Sequence, residues 1–163
     1  MSLFAIAVFQ EKIKGTVLFS QTPFQQTTRE ITLRIQLQGL GKNRKRGFHI
    51  HQFGDLTDGC TSMCAHFNPL GNQHGGPHSK NRHAGDLGNV ESDANGIANY
   101  EMTIQGITLK ASKFCIIGRG LIIHEDEDDL GEGGHKDSLT TGHAGKRSAC
   151  AVIGWSSLNK DGC

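Results

Sequence analysis

Along residues 30–38 apolar and polar side chains alternate without a break: Ile31, Leu33, Ile35 and Leu37 interleave with Thr32, Arg34, Gln36 and Gln38. Successive strand residues point to opposite faces, so this period of two predicts a strand with one buried face. Shorter runs predict further strands at 4–9, 15–20, 46–53, 96–104, 116–124 and 149–155. Between 54 and 85 the pattern dissolves into Gly, Asn, Pro and His, and a second irregular stretch runs from 125 to 146. Loops this long are uncommon in compact domains unless they carry function. Both are rich in potential ligands rather than in repeats. The expectation is an antiparallel all-β sandwich or flattened barrel with two functional loops. No internal repeat or linker stands out, so the 163 residues are expected to form one domain.

One predicted strand carries a second signal. Residues 47–55 read GFHIHQFGD, which places His49 and His51 on one face and Phe48 and Ile50 on the other. A half-buried strand does not need two adjacent imidazoles for stability, whereas a metal ion uses them. Further on, HFNPLGNQHGGPHSKNRHAGD supplies His66, His74 and His83 at intervals of eight and nine, with Asp86 three residues later. His124 ends the apolar run LIIH. Four imidazoles suit Cu(II), and three histidines with an aspartate on a loop suit zinc. One such histidine alone would be read as structural or exposed. Six of them with an aspartate, in Gly- and Pro-rich contexts, are hard to explain as core packing. A zinc finger built on Cys60, Cys64 and His66 is disfavoured, because His74 and His78 follow too soon and no large apolar residues stand where a finger helix needs them.

Composition narrows the class. Glycine accounts for 22 of the 163 residues, about twice the usual share of ~7%, which fits short strands joined by turns. A formal net charge of +1 gives no general attraction to nucleic acid or an anionic membrane. No apolar run approaches the ~20 residues needed to span a bilayer. The opening MSLFAIAVFQEKIKG has no basic residues before its apolar run, so it is read as a first strand rather than a signal peptide, and a cytoplasmic setting is expected. Cys60, Cys64, Cys115, Cys150 and Cys163 make an odd count, and disulfides are unusual in a reducing compartment.

Taken in order, GFHIHQFGD, GCTS…HFNP, HGGP, RHAGDLGN, the HE…DDLG of 123–131 and TGHAGKRSACAVIG closely resemble the Cu/Zn superoxide dismutase family over nearly the whole chain. The resemblance implies a Greek-key sandwich with a metal-binding loop and an electrostatic loop. It implies conversion of superoxide to O₂ and hydrogen peroxide by alternate reduction and reoxidation of copper. On matching positions, His49, His51, His66 and His124 would bind copper. His66 would bridge to a zinc ion completed by His74, His83 and Asp86, leaving copper with a proton on reduction and returning it later. Asp128 would accept hydrogen bonds from a copper-side and a zinc-side imidazole, while Glu125, Asp126 and Glu127 stay a solvated acidic run. Arg147 would receive the anionic substrate, Thr141 would line the channel mouth, and Lys136 and Lys146 would add positive field. Cys60 and Cys150 match the family's disulfide, which here outweighs the reducing-compartment argument. Cys64, Cys115 and Cys163 would be free thiols, with His78, His135 and His143 exposed. A homodimer, with Gly54, Ile117, Gly118 and Trp155 at its interface, and a copper chaperone are the implied protein partners.

The chain also departs from the family pattern. The segment 41–46, GKNRKR, is more basic than usual and is read as a solvated loop rather than an anionic-partner patch, with Lys45 and Arg46 where an apolar residue and a histidine often support the copper side. Cys64 and Ala65 replace a small-residue–proline pair before the bridging histidine, Trp155 at the dimer face would either anchor the pair or obstruct its usual packing, and the tail 156–163 extends past the family core. Two other readings compete: a nonenzymatic metal-binding or copper-chaperone-like domain of the same fold, and a zinc-only structural module. The presence of all four copper-side histidines and Arg147 argues against the first.

Overall fold

The computed structural model of the protein describes residues 1–158. One sheet is built from β1 (Leu3–Gln10), β2 (Lys14–Gln21), β3 (Glu30–Gln38), β6 (Ile97–Gln105) and β9 (Gly154–Trp155), in the order β6-β3-β2-β1-β9. The other contains β4 (Lys45–His51), β5 (Asp86–Glu91), β7 (Gly120–His124) and β8 (Arg147–Val152), in the order β5-β4-β7-β8. Every ladder is antiparallel. The chain crosses between sheets at β3–β4, β5–β6, β6–β7 and β8–β9. No ladder joins the two sheets among the described residues, so the fold is a Greek-key sandwich and not a closed barrel.

The alternation in β3 works as expected. Ile31, Leu33, Ile35 and Leu37 are buried against Phe19, Phe48 and Ile50, while Arg34, Gln36 and Gln38 face solvent. In β4 both faces are buried: Phe48 and Ile50 enter the core, and His49 and His51 lie covered on the opposite side.

Three strand boundaries differ from the sequence reading. The segment 46–53 leaves its sheet after His51, because the Gln52 and Phe53 amides donate to Ala65 and Met63 of the following loop. The strand expected over 116–124 begins only at Gly120, the preceding residues forming a turn in which Arg119 N–H meets Ile116 C=O. The strand expected over 149–155 starts at Arg147 and breaks at Ile153, whose amide turns to Arg119 C=O, so that β9 crosses to the other sheet. Two elements were not read from sequence. The strand β5 contains Gly88 and Asn89, which interrupt its alternation. Helix α1 (Pro23–Thr28) is one short piece held by a Thr22–Gln25 capping box. The long loops are irregular as expected, apart from a 3₁₀ turn (Thr61–Met63) and the four-residue α2 (Ser138–Thr141).

A disulfide joins Cys60 to Cys150 and ties the first loop to β8 across 90 residues of sequence. Closing a loop of that length removes unfolded-state entropy worth ~4–5 kcal/mol in the chain-entropy model. Cys64 is an exposed free thiol and Cys115 a half-buried one. Cys163 lies outside the described residues.

Candidate metal centre

Strands supply three of the imidazoles and the loop between β4 and β5 supplies the other three. His49 and His51 share the face of β4 turned away from the sandwich core, and His124 ends the neighbouring β7. The loop carries His66 to His51, with which it forms an isolated antiparallel bridge, and then His74 and His83. All six are buried, as are Asp86 and Asp128. Two groups of possible ligand atoms result: His49, His51, His66 and His124, and His66, His74, His83 and Asp86, with donor atoms in each within 4.8 Å of one another. His66 belongs to both.

Hydrogen bonds decide which nitrogen of each ring is left for a metal. His51 Nδ1 lies 2.8 Å from the Cys64 carbonyl and His124 Nδ1 lies 3.2 Å from that of Gly145. A carbonyl only accepts, so both Nδ1 atoms carry the proton and both Nε2 lone pairs are bare. The Asp128 carboxylate takes His49 Nε2 at 2.7 Å on one oxygen and His74 Nε2 at 2.8 Å on the other, which exposes Nδ1 of both rings. The result is five buried ring nitrogens without a hydrogen-bond partner: His49 Nδ1, His51 Nε2, His66 Nε2, His74 Nδ1 and His124 Nε2. Orphaned buried polar atoms are costly and rare, and five converging from separate segments fit a bound metal. On the other side, His66 Nδ1, His74 Nδ1 and His83 Nδ1 crowd one oxygen of Asp86 at 2.9, 3.1 and 3.1 Å. Three nitrogens around one carboxylate oxygen match the nitrogen-and-oxygen donor set that zinc takes. His49, His74 and Asp128 also cluster, but their facing atoms already bond to each other, so this trio links the two groups rather than offering a third.

Two residues that the sequence reading did not single out, and one that it placed in solvent, complete the frame. Asn89 on β5 pins Asp128 from both sides, its Nδ2 donating to the Asp128 carbonyl and its Oδ1 accepting from the Asp128 amide. Gly142, at φ +68°, fits where any side chain would collide: a Cβ there would lie 2.0 Å from Asp128 Oδ1 and 2.4 Å from His74 Nε2. Arg46 was expected in a solvated loop and is instead half-buried. Its guanidinium donates to the carbonyls of Leu40, His124 and Glu125 and to Ser148 Oγ. The rest of that loop, 41–45, is exposed as expected.

The other expected site residues also have clear places. Arg147 is half-buried, its guanidinium donating to the carbonyls of Cys60, Thr61 and Cys64 beside the disulfide. Its charge reaches His51 and His124. Thr141 is exposed on α2, with its hydroxyl turned toward Asp137. Lys136 and Lys146 are exposed, as are Glu125, Asp126 and Glu127, and His78, His135 and His143 lie outside both donor sets and are exposed.

Without metal, the cluster is held in a particular charge state. Burial, aided by the neighbouring imidazoles, lowers the pKa of His49 and His51 and keeps both neutral. Burial also lowers His66, against the pull of its Asp86 bond. His124 falls to about 4 through burial, against its bond to Gly145. Burial opposes charge on His74 as well, but its bond to Asp128 and the Asp86 carboxylate 3.1 Å from its other nitrogen win and raise it to about 9. Burial would raise Asp86, yet three imidazole partners hold it well below the usual carboxylate range.

These directions fix a pH window. A histidine with a lowered folded pKa stabilises the fold fully above its unfolded value near ~6.5, and that contribution is lost as pH falls toward the folded value. Asp86 adds a further loss below ~4, and His74, shifted upward, contributes below ~6.5 and loses its contribution as pH rises toward 9. Metal-free protein is therefore expected to lose stability steeply between pH 7 and pH 4, by ~3 kcal/mol for His124 alone. Urea denaturation of chelator-treated protein at several pH values measures this, and an unchanged midpoint across that range would refute it.

Residues 13–153 match the family profile described as copper/zinc superoxide dismutase. The chain belongs to the copper/zinc superoxide dismutase family. Among its curated relatives, a Cu-Zn superoxide dismutase of Paramecium bursaria Chlorella virus 1 is 52% identical over 95% of this chain and 80% of its own length. One from Candida albicans is 49% identical over 92% of this chain and 96% of its own. A Drosophila melanogaster protein named as an extracellular superoxide dismutase is 53% identical over 88% and 76%. A solved structure titled as that of the clock protein EA4 superposes with a TM-score of 0.87 at 41% identity, covering 94% of each chain. The protein is thus a superoxide dismutase of the copper/zinc family, and its cofactors are copper and zinc. The nonenzymatic and zinc-only readings fall behind. No helix among the described residues is long and apolar enough to cross a membrane.

Proposed function

We propose that His49 Nδ1, His51 Nε2, His66 Nε2 and His124 Nε2 hold copper, while His66 Nδ1, His74 Nδ1, His83 Nδ1 and Asp86 hold zinc. The five orphaned ring nitrogens carry this assignment. When bound, copper supplies a one-electron redox couple for two successive superoxide ions, and zinc supplies a fixed charge without redox change.

The remaining steps belong to the chain. Dismutation consumes two protons as two superoxide ions become O₂ and hydrogen peroxide. His66, whose Nδ1 and Nε2 face different donor sets, is placed to hold one of those protons at Nε2. Arg147 offers a permanent charge fixed beside His51 and His124 by three loop carbonyls, and binds the anion there. Lys136, Lys146 and Thr141 lie on the loop that forms the rim. Protein loaded with one copper and one zinc per chain is expected to consume superoxide rapidly, with a rate that falls as ionic strength rises. Arg147→Gln is expected to lower the rate at low salt by about ten-fold or more. A rate insensitive to both salt and Arg147 would remove the arginine from substrate capture.

The homodimer belongs to this proposal as well. Trp155, Phe53 and Leu56 are each more than half exposed. Gly54 and Gly118 pack so closely that a Cβ on Gly54 would meet the Gly118 carbonyl at 2.4 Å. Exposed apolar side chains of this kind suit burial against a second copy of the chain. Sedimentation velocity is expected to show a dimer that Trp155→Glu converts to monomer, and a wild-type monomer would exclude it. Delivery of copper to nitrogens this deeply buried is assigned to a copper chaperone.

A further inference from the structure

A polar cleft lies on the outer side of the zinc-ligand loop, backed by His83, where the turn after α1 meets that loop and the end of β6. Its volume is about 490 Å³, and Arg29, Arg82, His78, Ser79 and Thr103 are among its walls. That size suits a small organic ligand. A smaller hollow of about 180 Å³ continues from it past Lys80 and Phe114, with Arg29, Ser79 and Arg82 shared.

Arg29 is the key residue. It closes α1 in the left-handed conformation, at φ 53°, a place where glycine or asparagine is usual. A bulky residue kept in a strained conformation points to a use for its side chain. The Arg29 guanidinium stacks over the Phe114 ring, 4.2 Å from its centroid, and has no carboxylate partner among the described residues. The Lys113 ammonium sits 5.1 Å from the same ring. Stacking leaves the in-plane N–H donors of a guanidinium available to an anion.

The opposite wall is pre-built. Arg82 is half-buried, and its guanidinium donates to the carbonyls of His83, Ala84, Asp86 and Gln105. Ser79 Oγ accepts from the Gly76 amide, which leaves its O–H to donate. The one carboxylate in the cleft is Glu30, and Gln25 and Gln105 already donate to its two oxygens. Arg29, Lys80 and Arg82 against Glu30 leave an excess of positive charge in a polar hollow.

We propose that this cleft binds a phosphate group, free or carried as a monoester on a small organic molecule, with Arg29 as the principal ligand and Arg82 and Ser79 as partners. Such an anion bridges the α1 turn to the loop that carries His74 and His83. Isothermal titration of copper- and zinc-loaded protein with AMP, and separately with inorganic phosphate, at constant ionic strength tests the idea. One site per chain is expected, weakened about ten-fold or more by Arg29→Gln and unaltered by Lys42→Gln. Tighter binding of AMP assigns an organic carrier, and equal binding assigns free phosphate. Absence of binding by both probes overturns the proposal. So does binding that survives Arg29→Gln but is lost in Arg147→Gln, because the anion is then at the metal channel.

Discussion

Replacing His124 with alanine is expected to abolish superoxide dismutation while leaving zinc bound. His124 touches neither of the carboxylates that organise the cluster. Its Nδ1 is spent on the Gly145 carbonyl, and its Nε2 is one of the orphaned atoms facing His49, His51 and His66. Its removal therefore takes one donor from the proposed copper set and none from the proposed zinc set. Changing a residue that merely orients a ligand costs about 10–100-fold, so loss of the ligand itself should exceed ~100-fold. Elemental analysis should find zinc near one equivalent with copper depleted, and the catalysed decay of superoxide should fall to background. Full activity in this variant would sink the copper assignment.

Asp128→Asn has the second largest expected effect, and it should reach both metals. The carboxylate accepts an imidazole N–H on each oxygen, from His49 of the proposed copper set and His74 of the proposed zinc set. An amide has one accepting oxygen and a donating NH₂. One of the two rings must then change tautomer or turn, and it presents N–H where a lone pair is required. The fold has reason to survive, because the Asn89 contacts use only the main chain of residue 128. Chelator competition should show zinc and copper bound about 10–100-fold more weakly than in wild type. The neighbouring Glu127→Gln, at an exposed side chain 3.8 Å from Lys45, should leave both unchanged. Wild-type affinity for both metals in Asp128→Asn would show that the bridge does not orient the ligands.

Both predictions depend on features with different visibility in the chain. The unbroken alternation of 30–38 marked β3 to the residue, because one face of that strand meets the core and the other meets water. β5 gave no such signal: Gly88 and Asn89 occupy it for tertiary reasons, the glycine at φ +81° against Pro77 and the asparagine to hold Asp128. Arg46 read as solvent-facing because its neighbours in sequence are basic. Its acceptors come from 40, 124, 125 and 148, which only the sandwich brings together.

The sequence by itself determined the all-β class, the existence of two long irregular loops and the residues proposed as donors, since imidazoles and carboxylates announce their chemistry wherever they stand. Tertiary structure alone decided which atom of each residue is offered. The proton on an imidazole goes to the nitrogen that finds an acceptor, and for His49 that acceptor is Asp128, 79 residues away. For His124 it is Gly145 and for His51 it is Cys64, each supplied by a loop whose path no local pattern encodes. A metal site is a set of lone pairs pointing at one place, and the direction of a lone pair is set by what bonds to the other side of the ring.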